Sequence, residues 1–270
     1  MGKYADLKDK VVFVTGGAGG LGSEICKAFG ENGAKVAVAS QNEERGAKSV
    51  AAVKAAGGDA FFVKVDVTNA ESVNAAIAAT VEKWGTIDVL VNNAGGGGGL
   101  AYPNFHAVKE EAFDATYKLN TKSTFLCIKA VHDMMIEKGC GRIINISSMA
   151  GRTPQPELPA YSAQKAAVIS LTKTYAMEFA PYGVTVNAVC PGIVYTVMWQ
   201  TLVKVFRKLL PDIYGDKTDD EIFAAEIKKR IPMNRPQTER DIANAVIFFA
   251  SDDAQNITAQ TLSVDGGASM

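Results

Sequence analysis

Short apolar runs alternate along the chain with longer stretches in which apolar positions recur every three to four residues. The runs at 11–15, 35–40, 60–67, 87–92, 142–147, 184–189 and 261–264 read as strands. Several are almost continuously apolar, Val-Val-Phe-Val at 11–14 and Val-Ala-Val-Ala at 36–39. A strand wetted on one face alternates apolar with polar residues, whereas a continuous run marks a parallel strand covered on both faces. The stretches 21–32, 43–56, 70–84, 110–138 and 160–182 carry the helical period. This alternation predicts right-handed βαβ crossovers in an α/β domain: a doubly wound parallel sheet of about seven strands with helices on both faces.

One segment breaks the rhythm. Between 197 and 232 no strand is apparent, and Trp199, Leu202, Val203, Phe206, Leu209 and Leu210 form the stripe of an amphipathic helix. Lys204, Arg207 and Lys208 fall largely off that stripe and read as a solvated face, with contact to a substrate phosphate as the sharper alternative. Residues 212–217 read as a turn, and a second short helix follows. An excursion beyond a strand's carboxyl end is where a lid sits in such a fold. The expectation is one domain over 1–270 with a substrate-lid insertion at 197–232.

Composition narrows the classes. At 270 residues and 47% hydrophobic, the chain can bury a large core, which excludes a disordered or disulfide-stapled protein. Twenty-eight basic against 29 acidic residues give a net charge of −1, with no footprint for a nucleic-acid partner. Cys26, Cys127, Cys140 and Cys190 form no C-x-x-C pair and read as reduced thiols. His106 and His132 show no metal-ligand spacing, so no metal is expected. The start is polar and no apolar run is long enough to span a bilayer, which points to a soluble, cytoplasmic protein without a membrane partner.

The strongest local signal is Thr15-Gly16-Gly17-Ala18-Gly19-Gly20-Leu21-Gly22, a glycine-rich turn between the first strand and the first helix. Small residues let the backbone approach a pyrophosphate, whose charge meets the N–H groups and positive dipole end of that helix. In this placement the turn points to a dinucleotide site.

Thr15, Gly16, Gly20 and Gly22 also resemble the Thr-Gly-x-x-x-Gly-x-Gly fingerprint of the short-chain dehydrogenase/reductase family. The resemblance continues through Asp66-Val67, Asn92-Asn93-Ala94-Gly95, Pro191-Gly192 with Thr196, and Val264-Asp265-Gly266-Gly267. It implies a Rossmann-type fold and a nicotinamide cofactor on Gly16, Gly19, Gly20, Leu21, Gly22, Ser40, Gln41, Asp66, Val67, Asn93, Ala94, Gly95, Tyr161, Lys165, Pro191, Gly192, Val194 and Thr196. Ser40 departs from the pattern, standing where an NAD-specific site carries an acidic residue. Gln41 stands where an NADP-specific site carries Arg, and Gly19 lacks a cationic side chain. Arg45 reads as part of a solvated helix face, with reach to a phosphate as the alternative. Without an obvious cation for a 2′-phosphate, NAD(H) is favoured and NADP(H) is the alternative.

Tyr161 and Lys165 are four apart at the start of a helix, so phenol and ammonium share a face. Ser148 precedes Tyr161 by thirteen residues, at the end of a strand, and adjacent Ser147 is its rival. A base must sit at the hydroxyl of an alcohol being oxidised, and a free tyrosine titrates too high, near 10. A nearby ammonium favours the phenolate; lowering the pKa by about 3 units takes about 4 kcal/mol. The resemblance assigns Tyr161 as acid/base, Lys165 as its electrostatic partner, Ser148 as donor to the substrate oxygen, and Asn120 as holder of a water relay. From sequence alone Asn120 reads equally well as a structural amide inside a helix. Gly97, Met149, Gln155, Leu158, Tyr195, Met198 and Trp199 flank these motifs and are expected to line a mainly apolar substrate pocket. The glycine run 95–99 reads either as a loop tip or as a wall kept bare for substrate.

The expected function is hydride transfer between the nicotinamide and a secondary alcohol or ketone. The insertion and the chain ending resemble dehydrogenases of polyols and diols, with cyclic alcohols also open. The alternatives are a 3-oxoacyl or steroid/aromatic ketone reductase of the same family, a nucleotide-binding sensor without turnover, and, more remotely, a sugar-nucleotide epimerase. The resemblance further implies a homotetramer.

Overall fold

The computed structural model describes residues 4–96 and 105–270. In chain order they form β1 (Val11–Thr15), α1 (Gly20–Glu31), β2 (Lys35–Ser40), α2 (Glu43–Ala55), β3 (Asp59–Lys64), α3 (Ala70–Trp84) and β4 (Val89–Asn92). Then follow α4 (Glu110–Tyr117), a π turn (Lys118–Lys122), α5 (Ser123–Lys138), β5 (Gly141–Ile146), α6 (Pro159–Phe179) and β6 (Val184–Pro191). The last elements are α7 (Val197–Leu209), α8 (Pro211–Tyr214), α9 (Asp219–Arg230), α10 (Glu239–Ala250) and β7 (Thr261–Val264). The strands make one parallel seven-stranded sheet in the order β3-β2-β1-β4-β5-β6-β7.

The continuous apolar runs have the meaning that a two-residue side-chain period gives them. Val12 and Val14 enter one core with Ile25 and Phe29 of α1 and Ile242 and Val246 of α10. Val11 and Phe13 enter the other with Val73 and Ile77 of α3, Ile128 and Val131 of α5, and Phe179 of α6. Both faces are covered, as the run predicts. The chain moves from β1 outward to β3, then returns to the other side of β1 with β4. Ligands in open parallel sheets bind at such a reversal, beyond the strands' carboxyl ends.

Several boundaries differ from the pattern. β3 ends at Lys64 rather than at Val67, because pairing with β2 stops there although Val65 and Val67 stay buried. β6 continues to Pro191, which pairs with Val264 at the far edge, where the missing N–H costs little. The helical stretch 110–138 is interrupted by the π turn. The expected turn at 212–217 begins as the one-turn helix α8. In the 197–232 segment, Trp199, Leu202, Val203 and Phe206 bury their stripe with Ile222, Ile227 and Ile231 against Met149 and Ile193, forming a third core. Leu210 leaves the stripe and is exposed. Lys204 and Lys208 are solvated, while Arg207 pairs with Asp219 inside the segment. None of the three lines the cavities described below.

Candidate active site

The glycine turn is built by backbone that other residues resist. Gly16 and Gly20 have φ of +65° and +35°. A Cβ on Gly22 would stand 2.2 Å from the carbonyl oxygen of Gly16, so the start of α1 packs on the turn only because Gly22 has none. Thr15 and Asn93 stitch this turn to the end of β4. The Thr15 hydroxyl accepts from the N–H groups of Asn93 and Ala94, both at 3.0 Å, and Asn93 Nδ2 donates to the Thr15 carbonyl at 3.0 Å. At Gly19 and Gly20 a Cβ would meet nothing within 4 Å, and no side chain caps α1. An open cradle at an uncapped helix start fits the pyrophosphate of a dinucleotide.

That cradle is one end of a cleft. Gly16, Gly19–Gly22, Asn93–Gly96, Ser148, Tyr161, Lys165, Pro191, Gly192, Val194 and Thr196 line it. Ser40, Gln41 and Asp66 lie outside this lining, at or just beyond the carboxyl ends of β2 and β3. Hydrogen bonds from Thr68, with a smaller contribution from Gln41, hold the Asp66 carboxyl below its ordinary range. Val67 buries its side chain in the core, which leaves any role at the site to its main chain. Arg45 does line the cleft, although its sequence context reads as a solvated helix face. It makes no ion pair among the described residues.

Ser148 ends the segment after β5, and its hydroxyl accepts from the Ala150 N–H at 3.1 Å. It also hydrogen-bonds the Tyr161 phenol. Ser147 is buried and donates instead to the Lys165 carbonyl at 2.8 Å, so the spacing that favours Ser148 agrees with where the two hydroxyls point. Pro159 opens α6, its fixed φ suiting the first helical turn. Tyr161 and Lys165 then share the buried face, with Nζ 5.6 Å from the phenol ring centre. Nζ donates to the Ile146 carbonyl at 2.9 Å. Burial pushes the phenol up to about 12, against the opposing hydrogen bond from Ser148. Burial likewise pushes the amine down to about 8. Desolvation dominates both groups.

Asn120 occupies the π turn, a feature that recurs at functional sites. Its Nδ2 donates to the carbonyls of Thr116 and Gly96, both at 2.9 Å, and its Oδ1 accepts from the Gly96 N–H at 3.1 Å. It clamps the chain after β4. A Cβ on Gly95 would stand 2.8 Å from Asn120 Oδ1 and 3.0 Å from Lys165 Nζ, so this glycine lets amide and amine approach one another.

A second cavity, the chamber, opens from Ser148 and Tyr161 toward the 197–232 segment. Of the residues expected around a substrate, Met149, Gln155, Leu158 and Trp199 line it. Tyr195 does not: its ring packs on Phe223 at 4.5 Å and its hydroxyl bonds Asp220, which turns it outward. Gly97, most of the 95–99 run, and the Met198 side chain lie outside the described residues. Glu157 and Arg230 line the chamber as well and escaped the sequence reading. Arg230 ends a Lys-Lys-Arg run and reads as an ordinary basic helix end. Among the described residues no group of His, Cys, Asp and Glu gathers to hold a metal, and no helix is long and apolar enough to cross a membrane.

Comparison with known proteins agrees with this geometry. The family described as short chain dehydrogenase matches residues 10–205. The 2,5-dichloro-2,5-cyclohexadiene-1,4-diol dehydrogenase of Sphingobium indicum is 39% identical over 265 residues, 98% of each chain. An NAD+-bound xylitol dehydrogenase superposes with a TM-score of 0.90 at 32% identity, over 97% of this chain and 99% of that one. An actinorhodin polyketide ketoreductase with NADPH superposes at 0.89 and 34% identity, over 100% and 99%. With its glycine cradle, its parallel sheet and its Ser-Tyr-Lys constellation, the chain belongs to the short-chain dehydrogenase family and is a nicotinamide-dependent oxidoreductase of secondary alcohols and ketones.

Proposed function

We propose that the protein oxidises a diol, polyol or cyclic secondary alcohol, or reduces the matching ketone, in the chamber beside Ser148 and Tyr161. The carrying observation is that Ser148, Tyr161, Gly192 and Trp199 line both cavities, so the two hydroxyls stand where cleft and chamber meet. When bound, a nicotinamide in the cleft supplies the hydride acceptor and a positive charge. Ser148 holds the alcohol oxygen by hydrogen bond, and Tyr161 takes or returns the proton at that oxygen. Lys165 supports the phenolate and would hold ribose hydroxyls. Asn120 is a positioning residue that fixes Gly96 and the cleft wall. The diol and polyol dehydrogenases among the relatives support this substrate class.

The cofactor reading is NAD(H), with Ser40 and Gln41 beside its ribose. A second reading, NADP(H), is favoured by Arg45, a cation on the cleft wall with no acidic residue at Ser40 to oppose a phosphate. The proposed assembly is a homotetramer in the cytoplasm. Phe113, Tyr117, Phe125, Met177 and Tyr182, on α4, α5, α6 and the turn after it, are exposed apolar side chains that a second copy would cover. Light scattering tests the assembly, and a monomer refutes it. Initial rates with NAD and NADP across polyols, diols and cyclic alcohols, with Tyr161→Phe alongside, test the chemistry. Cofactor binding without turnover of any alcohol in the panel would favour a nucleotide sensor instead.

A further inference from the structure

The chamber wall also carries a polar group that the alcohol chemistry does not use. Arg230, at the end of α9, donates through Nη1 to Gln155 Oε1 at 2.7 Å and through Nη2 to Glu157 Oε1 at 3.1 Å. Its Nε donates to Glu226 Oε2. Glu226 is 1% exposed, and its other oxygen accepts from the Tyr214 hydroxyl at 2.5 Å. Gln155 donates to the Thr153 carbonyl at 2.8 Å, which fixes its amide. The guanidinium also lies 5.9 Å from the Phe206 ring centre. Residues from α8, α9 and the loop before α6 thus fix the guanidinium before any substrate enters.

Arg230, Gln155 and Glu157 line the chamber but not the cleft. They therefore lie away from the nicotinamide side, with Leu158, Trp199, Leu202 and Phe206 among the remaining wall. Hydrogen-bond capacity remains at that end. A guanidinium carries five N–H donors, and three are used here. Glu157 Oε2 has no partner among the described residues. A hydroxyl, which both donates and accepts, meets a free donor and a free acceptor. One guanidinium against the carboxylates of Glu157 and Glu226 leaves a formal charge of −1, which repels an anion.

We propose that Arg230, fixed by Gln155, Glu157 and Glu226, selects substrates bearing a second, uncharged oxygen remote from the reacting carbon and turns away carboxylates and phosphate esters. This selection deepens the alcohol chemistry proposed above and rests on it. Because the guanidinium is already ordered, little freedom is lost when the second oxygen binds.

The test compares cyclohexanol, cis- and trans-cyclohexane-1,4-diol and 4-hydroxycyclohexanecarboxylate at saturating cofactor. It uses the wild type, Glu157→Gln, and a double variant carrying Arg230→Met with Glu226→Gln, so that no carboxylate is left buried without its partner. In the wild type the better diol exceeds cyclohexanol in kcat/KM by about tenfold or more, the discrimination of one hydrogen bond to a charged group. In the double variant that ratio falls toward one. Glu157→Gln raises kcat/KM for the carboxylate by about tenfold, mainly through KM. Titrating the same ligands into the cofactor-loaded enzyme, followed by Trp199 fluorescence, separates selection from turnover. A diol-to-cyclohexanol ratio that is near one in the wild type, or unmoved in the folded double variant, overturns the proposal and leaves the alcohol chemistry standing. Diol-selective binding that the double variant loses, without turnover in any protein, sustains the selection and overturns the alcohol chemistry. Absence of both binding and turnover overturns both.

Discussion

Lys165 makes the active site expensive to fold, and removing its charge should stabilise the protein. Its side chain is 4% exposed, and burial pushes the amine from 10.5 down to about 8. That fall corresponds to about 3 kcal/mol spent at neutral pH to keep an ammonium in the site. The sign follows from proton binding. Between pH 8 and 10.5 the unfolded chain holds this proton and the folded chain does not, so stability rises with pH through that window. Below pH 8 the cost is present in full. Lys165→Met keeps an unbranched apolar stem and removes the charge, while forfeiting the 2.9 Å bond to the Ile146 carbonyl. That bond is worth about 1 kcal/mol. The variant is expected to be inactive, yet more stable than the wild type by about 2 kcal/mol at pH 7. The advantage should shrink above pH 8 and reverse near pH 10.5. Urea unfolding of the cofactor-free proteins at matched concentration, followed by circular dichroism from pH 7 to 10.5, measures it. A difference that does not change with pH, or a variant less stable at pH 7, would refute desolvation as the dominant influence on this lysine.

Four further outcomes are expected. Tyr161→Phe should lower kcat about a thousandfold while leaving the urea midpoint in place, and in the wild type oxidation should accelerate and reduction slow as pH rises, because only the phenolate accepts a proton. Gly22→Ala, whose methyl would stand 2.2 Å from the Gly16 carbonyl, should cost more than about 2 kcal/mol of stability, whereas Gly19→Ala, facing open space in extended backbone, should act chiefly by raising the cofactor Kd. Asn120→Ala should release Gly96, read as faster hydrogen exchange at its amide, with a stability loss of about 1–3 kcal/mol. His132, held up by Asp133 and then by Glu178, should titrate in NMR above its ordinary 6.5. Its contribution to stability is complete below pH 6.5 and is lost as pH rises through that higher midpoint.

Much of the scaffold was legible because it rests on side-chain period. β1, β2, β7 and α3 fall where the apolar pattern puts them, since each is a run bounded by a turn residue or a cap. Ladder ends were not legible: Val65 and Val67 are as apolar as Val63, and only the loss of pairing ends β3. The π turn was invisible because Lys118–Lys122 differs from its surroundings in hydrogen bonding rather than in residue type. α10 stands outside the helices that the apolar pattern predicts, although its Thr238–Asp241 capping box and its stripe of Ile242, Val246 and Ile247 announce it. At the site, spacing puts Ser148 on a strand end and Tyr161 with Lys165 on one helix face, while their roles come from the family resemblance. Glu157 and Arg230 needed the tertiary structure, since a charge on a helix or loop says nothing about what a distant segment brings to it. Tyr195 went the other way: adjacent to a motif in sequence, it points out of the chamber to pack on Phe223.

The strand order also dictates how the sheet grows during synthesis. β1, β2 and β3 can pair as soon as they emerge, through short right-handed crossovers. The other edge of β1, Val-Val-Phe-Val, then waits without a partner until Val89–Asn92 arrives. After that each strand joins the outermost one, and none has to insert between strands already paired. Each addition thus leaves the newest strand's apolar edge open until the next strand arrives, and the wait at β1 is the first of these stages. That stage ends where the nucleotide turn and the end of β4 are stitched together by Thr15 and Asn93. The contact that shapes the cofactor cradle is thus also the one that closes the first open edge in the protein's assembly.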